Sequence, residues 1–243
     1  MKRFCAALVW LALWEGAGLI LNQPLLLPPP LSVAARLWEL CRTVAFWRSI
    51  ALSSRRILCG FALGVLCGTA LAIPASAKPW IRGLLYPAVA AVKAVPVASF
   101  VILSLVWLES RHLSVFIAFL MSLPPAYLGA LEGIAAADKQ LLEMAGAFRV
   151  PLMRRVAGIY IPAALPAFRT AVSLSIGLCW KAGVAAEVIG LPRGTLGERL
   201  YNAKVYFLTA DLFAWTAVII LLSVCFERVF LSALDRLSER MGA

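Results

Sequence analysis

Residues 138–166 read DKQLLEMAGAFRVPLMRRVAGIYIPAALP, a polar, helix-forming stretch set between segments apolar enough to enter a membrane. Asp138 can cap a short helix whose Glu143 lies towards the N-terminal half, where the helix dipole favours negative charge. Leu141, Leu142, Ala145 and Phe148 give that helix an apolar side, and Pro151 is expected to end it. A second short helix, bearing Arg154 and Arg155, is expected to run to Pro162. Apolar side chains rimmed by charge, on a loop between spans, mark a docking surface.

The remainder of the chain is membrane-grade. Hydrophobic residues make up 63% of 243 positions and charged residues 14%, whereas soluble domains sit near half apolar and about a quarter charged. Six apolar segments are expected to cross as helices: 4–21, 57–77, 83–108, 113–131, 163–186 and 205–226. Alternating ten-residue strands are absent, so the fold class is all-α and polytopic rather than a barrel. Lys2 and Arg3 precede the first apolar run without a clean cleavage site after it, which reads as a retained signal anchor.

The formal net charge is +11, but no Lys/Arg-rich run is interleaved with aromatics, so nucleic acid is not an expected partner. Basic residues instead orient the spans. With both termini in the cytoplasm, inside loops hold twelve Lys/Arg and outside segments nine, which favours that orientation by a small margin. The six cysteines are scattered without metal-ligand spacing and read as small apolar thiols.

After the turn-forming Pro28, Pro29 and Pro30, residues 32–56 carry Val33, Leu37, Leu40, Val44, Trp47 and Ala51 at helical spacing. This is the pattern of an amphipathic helix lying in the outer interface, with Ser32 as its N-cap. Gly60, Gly64 and Gly68 repeat every four residues along the second span and predict close packing on a neighbouring helix. Pro96, Pro124 and Pro125 predict kinks or breaks in later spans.

Catalytic constellations are missing. His112 is the only histidine, and there is no Ser/His/Asp set, no HExxH and no paired carboxylates at useful spacing. GxxxxGK[ST] is also absent, so any ATP-driven motor must be another polypeptide; no cofactor and no metal are called for. Lys93, Lys181 and Glu187 fall inside spans, where charge is costly and faces protein or water. They read equally as the lining of a solute path, with the lysines favouring an anion, or as a Lys–Glu pair locking helices together.

Residues 138–166 resemble the EAA loop of permease subunits of bacterial ABC importers. Glu143, Met144 and Ala145 stand at the Glu-Ala-Ala places, and Ile159, Ile161 and Pro162 at the terminal apolar-x-apolar-Pro. Arg149 occupies the family's glycine position, where a left-handed turn is awkward for arginine and Pro151 is available to relocate the bend. The resemblance extends over roughly residues 24–235, through LLLPPPLSVAARLWEL, residues 53–61, KAVPVASFVILSLVW and VAAEVIGLPRGTLGERLYNAK, and is to the nitrate/sulfonate/taurine-type branch. It implies an N-terminal span and outer turn (residues 1–31) followed by a permease domain (32–243) in a bacterial inner membrane. The implied partners are a second permease copy, a separate ATPase dimer gripped through the 138–166 coupling loop, an extracytoplasmic solute-binding protein and membrane lipid. Glu143, Met144, Ala145, Phe148, Arg149, Pro151, Ile159 and Pro162 would be the coupling residues. A small anionic or organic solute is expected, nitrate-, sulfonate- or taurine-like or a thiamine precursor. The competing reading is an ion-coupled secondary transporter acting without an ATPase, with Lys93, Lys181 and Glu187 as its ion-coupling groups.

Overall fold

Buried positions at Phe46, Ser49, Ser53, Ile57, Gly60, Phe61, Gly64, Gly68, Ala72 and Ala75 recur along one face of a single 34-residue helix, Val44–Ala77. A computed structural model describes residues 2–21, 23 and 25–240, and all regular structure among them is helical. In chain order the helices are α1 (Lys2–Leu21), α2 (Pro30–Cys41), α3 (Val44–Ala77), α4 (Pro79–Ala94), α5 (Val97–Ser104) and α6 (Ser110–Ala135). They continue with α7 (Lys139–Ala147), α8 (Leu152–Arg155), α9 (Ile161–Gly190), α10 (Leu196–Val205) and α11 (Thr209–Arg240). The side chains of Lys2, Arg3, Cys5 and Arg240, invoked above for orientation and thiol chemistry, lie outside the described residues.

Helix α6 is the centre of the fold, packed along α3 on one side and α9 on the other. Glycines set both approaches. A Cβ on Gly60 would lie 2.8 Å from Ala118 Cβ; on Gly64, 2.6 Å from Phe119 O; on Gly68, 2.6 Å from Leu123 O. On its other face α6 supplies the glycines itself: a Cβ on Gly133 would lie 2.6 Å from Ala164 Cα, and one on Gly129 would overlap Ala171. In lipid, where burying apolar surface gives no gain, such backbone proximity supplies the dispersion contacts that hold helices together. Ile57, Leu113, Ile117, Val172, Ile176 and Trp180 fill the space between the three helices.

Around this trio, α2 is tied to α11 by Arg36, whose Nε and Nη2 donate to Asp211 Oδ1 and Oδ2 at 2.5 and 3.1 Å. Phe46 and Trp215 stack obliquely with centroids 5.0 Å apart, fixing α3 against α11.

Several expectations are corrected. Among the described residues four of the expected spans are long apolar helices (Val44–Ala77, Ser110–Ala135, Leu152–Gly190 and Thr209–Arg236), and a fifth is a bent pair. That pair is the expected 83–108 span, in which α4 and α5 meet at 102°. Pro96 lacks an N–H and drives Val95 into extended backbone (φ −78°, ψ 132°), which ends α4. The first expected span, 4–21, lies in α1, whose side chains are described only from Val9 onward, so this expectation falls in part outside the described residues. The interfacial helix over 32–56 is two pieces. It stops at Cys41, and residues from Val44 onward continue the buried stripe of α3, whose N-cap is Thr43, with Oγ1 accepting from Phe46 N at 3.3 Å. Ser32 is not the cap: Pro30 occupies the first turn, and Ser32 Oγ donates back to Pro29 O at 2.7 Å. Pro124 and Pro125 leave α6 unbroken. Nor does the helix bearing Arg154 and Arg155 stop at Pro162. A π-helical turn, Val156–Tyr160, in which Ile161 N donates to Val156 O, joins α8 to α9 as one 39-residue helix.

Gly64→Ala is expected to destabilise the fold by ~1–3 kcal/mol, because its methyl meets a carbonyl that cannot step aside. Gly83→Ala, with nothing within 4 Å of the new methyl, should be neutral or stabilising. Thermal unfolding of the two purified variants in detergent checks the contrast.

Candidate functional site

The 138–166 stretch folds as an elbow. Asp138 caps α7, its carboxylate accepting from Gln140 N at 2.8 Å. At the other end Val150 N donates to Ala145 O (2.9 Å) and Arg149 N to Gly146 O (3.0 Å), the paired bonds of a Schellman close. Arg149 sits at its left-handed position with φ 53°. The bend therefore stays where the family's glycine would put it, and Pro151 caps α8 instead of relocating the turn. Arg155 Nε donates to Val150 O at 2.7 Å and ties the start of α8–α9 to the bend. Ala145 is buried beneath the elbow, while Leu141, Met144, Phe148, Leu152 and Met153 stand outward, Phe148 at 78% and Met153 at 81% exposure. Glu143, Arg149 and Arg154 are exposed around them. An apolar knob ringed by charge is too polar to sit in hydrocarbon and too apolar to be left in water. Ile159 and Pro162 are half-buried in and just after the π-helical turn that carries the elbow into α9.

A cavity of about 700 Å³ opens between α4, α5, α6 and α9. Its walls are largely apolar, but Lys93, Glu132 and Thr170 reach it. Pro124 and Pro125 have no N–H, so the carbonyls of Leu120 and Met121 lose their usual helical donor, and both residues line the same cavity. Lys93 lies in the last turn of α4, where the helix dipole favours a cation. Lys181 is exposed on α9 and outside this cavity. Neither lysine forms an ion pair among the described residues.

Glu187 is fully buried at the far end of α9 and serves the start of α10. Ser53 Oγ donates to its Oε2 at 2.7 Å, and Gly197 N donates to the same oxygen at 3.3 Å. Ser53 Oγ in turn accepts from Leu196 N at 2.9 Å, and Thr195 Oγ1 from Glu198 N at 3.2 Å. The first amides of α10 are thus answered by side chains of α3, α9 and its own cap, with a carboxylate at the positive end of the helix. Gly197 is required, since a Cβ there would collide with Glu187 itself. Among the described residues no group of three His, Cys, Asp or Glu is placed to hold a metal.

Comparison with known families now decides between transport routes. The model of the family described as "Binding-protein-dependent transport system inner membrane component" matches residues 60–242. The chain belongs to this family. It is 29% identical over 234 residues to a taurine transport system permease protein of Escherichia coli, covering 94% of this chain and 83% of the relative. It is also 26% identical to a putative aliphatic sulfonates transport permease protein of Bacillus subtilis, covering 88% and 78%. A bicarbonate transport system permease protein of Synechocystis is 28% identical, covering 74% and 68%.

The chain is therefore a multi-pass inner-membrane permease subunit of an ABC importer, of the nitrate/sulfonate/taurine branch. Such a subunit works with an ATPase and a solute-binding protein. In this permease, sequence reasoning missed Glu132, Ser53, Gly197 and the Arg36–Asp211 pair. Ser53 and Gly197 lay within the quoted segments 53–61 and VAAEVIGLPRGTLGERLYNAK, but only folding brings them to Glu187.

Arg149→Gly is expected to stabilise the elbow by about 1 kcal/mol, relief of left-handed strain outweighing added backbone entropy. Slower hydrogen exchange at the Arg149 and Val150 amides would show it. Ser53→Ala should cost ~1–3 kcal/mol, because it strips a donor from buried Glu187 and an acceptor from Leu196 N. A lowered unfolding midpoint, with α10 losing protection first, is the expected reading.

Proposed function

We propose that this permease works as a symmetric pair, each copy seating its elbow in a groove of a separate ATPase subunit, with the termini and elbow cytoplasmic. The outward-standing Phe148, held on a turn closed by three hydrogen bonds, carries this reading. A knob transmits displacement only if its own backbone does not yield, and the Schellman close and the Arg155 bond supply that stiffness. Glu143, Met144 and Ala145 set the preceding turn, while Ile159 and Pro162 join the elbow to α9, so movement at Phe148 is movement of a 39-residue helix. ATP hydrolysis belongs to the partner, and the permease contributes no catalytic group.

The solute path runs beside the cavity between α4, α5, α6 and α9, where Lys93 favours an anionic head and Glu132 and two proline-freed carbonyls offer polar contacts. The printed names of the relatives concern taurine, aliphatic sulfonates and bicarbonate, all small solutes with an oxyanion group. A solute of that class is the one this permease is proposed to carry. Glu187 and Lys181 lie outside this cavity, and Glu187 holds the outer end of the bundle together.

Complexes reconstituted with the ATPase and binding protein test the coupling. Phe148→Ala and Glu143→Lys should each cut solute-stimulated ATP hydrolysis by about tenfold or more while membrane insertion is unchanged. Undiminished stimulation would overturn the coupling role. A thiol introduced by Met153→Cys should resist impermeant reagent added outside intact cells, and labelling there would invert the proposed orientation.

A further inference from the structure

A recess of about 410 Å³ lies between the first turns of α3 and the turn that joins α9 to α10. Three guanidinium groups edge it, each from a different element: Arg48 from α3, Arg193 from the turn and Arg199 from α10. The continuous helix Leu152–Gly190 separates the recess from the elbow, so the two lie at opposite ends of the bundle, roughly 58 Å apart at the α-helical rise.

Among the described residues no salt bridge reaches the arginines of this recess. Among the described residues, ion pairs join Arg36 to Glu39 and Asp211, Arg111 to Glu109, and Arg169 to Asp235. None involves Arg48, Arg193 or Arg199. The Glu198 carboxylate accepts from Gly194 N at the edge of the recess and offsets one of the three positive charges, leaving the arginines in excess. Arg199 sits in the N-terminal half of α10, where the helix dipole disfavours a cation. Its Nε donates to Ser49 Oγ at 3.4 Å, a long bond to a buried serine that orients the guanidinium and leaves its outer N–H groups free. Half-buried Leu52 lines the recess and Val44 stands exposed at its rim, and apolar surface beside an ion pair strengthens it.

Three mutually repelling cations in one concavity are stabilised by an anion, and planar guanidinium forks match the oxygens of a sulfonate, carboxylate or phosphate. We propose that this recess is an oxyanion site of the permease, holding one singly or doubly charged head group through Arg48, Arg193 and Arg199. Two sources share that chemistry: the solute arriving at the outer mouth, and the head group of an anionic lipid. The placement at the outer mouth rests on the orientation proposed above; the anion chemistry does not.

The permease–ATPase complex in nanodiscs of phosphatidylcholine is titrated with ethanesulfonate by calorimetry. Saturable binding is expected, weakening with salt, and Arg193→Gln and Arg199→Gln should each raise Kd about tenfold or more. If the solute is the source, adding phosphatidylglycerol leaves that titration unchanged. If lipid is the source, phosphatidylglycerol displaces ethanesulfonate, and native mass spectrometry shows it retained by the parent complex and lost from both variants. Either result supports the site. Three outcomes overturn it: no saturable binding of either probe, unchanged Kd in the variants, or a loss caused by Lys93→Gln alone, which places the anion in the other cavity. Variants that bind both probes normally but release the binding protein also overturn it, making the arginines a protein-docking patch. Throughout, co-purification with the ATPase reports on the permease reading separately: its failure in the parent protein counts against that reading and not against the recess.

Discussion

Backbone-to-backbone contact between α3, α6 and α9 is the constraint from which the rest of this permease follows. Helices immersed in lipid gain little by burying leucine, so they associate where small residues let main chains touch. Helix α6 takes the Gly60, Gly64 and Gly68 face of α3 on one side and offers Gly129 and Gly133 to α9 on the other. The result is a three-helix slab whose members cannot slide without carbonyls and methyls colliding. Because α6 is gripped from both sides, it tolerates Pro124 and Pro125 without breaking, and the carbonyls those prolines release turn to use in the wall of a cavity.

That slab also links the two ends of the molecule. Helix α8–α9 runs unbroken from the elbow to Glu187, with a π-helical turn absorbing the junction before Pro162. At its far end Glu187 and Ser53 hold the first amides of α10, so α3, α9 and α10 form one hydrogen-bonded corner. The buried Glu187 carboxyl meets its donors through Oε2 and lies at the positive end of a helix. The three-arginine recess sits beside this corner, on the same elements. Under the proposed coupling, a displacement at Phe148 is applied to a rod whose other end carries these polar contacts.

The elbow shows one residue's backbone preference yielding to the hydrogen bonds of the turn around it. Arginine is a poor left-handed residue, and its sequence position invited a shifted bend; instead Arg149 accepts φ 53°. Both Schellman bonds and the Arg155 tie depend on the turn being there, and together they outweigh the strain of a single residue.

Composition determined that this chain is a membrane protein, because so few polar residues cannot clothe a water-facing surface, and long apolar runs without alternation determined that it spans as helices and not as a barrel. The polar stretch 138–166 likewise announced a short capped helix with an apolar side, and Asp138 its cap, since capping and amphipathicity are local in sequence. Tertiary structure decided what depends on neighbours. Pro96 breaks a span where α4 and α5 have little holding them, whereas Pro124 and Pro125 do not, and proline spacing reads alike in both cases. Residues 44–56 looked interfacial because their charges were visible and the helix they would join was not. Ser53 with Glu187, and Arg48 with Arg193 and Arg199, lie more than a hundred residues apart along the chain; which charges meet, and which are left without a partner, is fixed only when the helices pack.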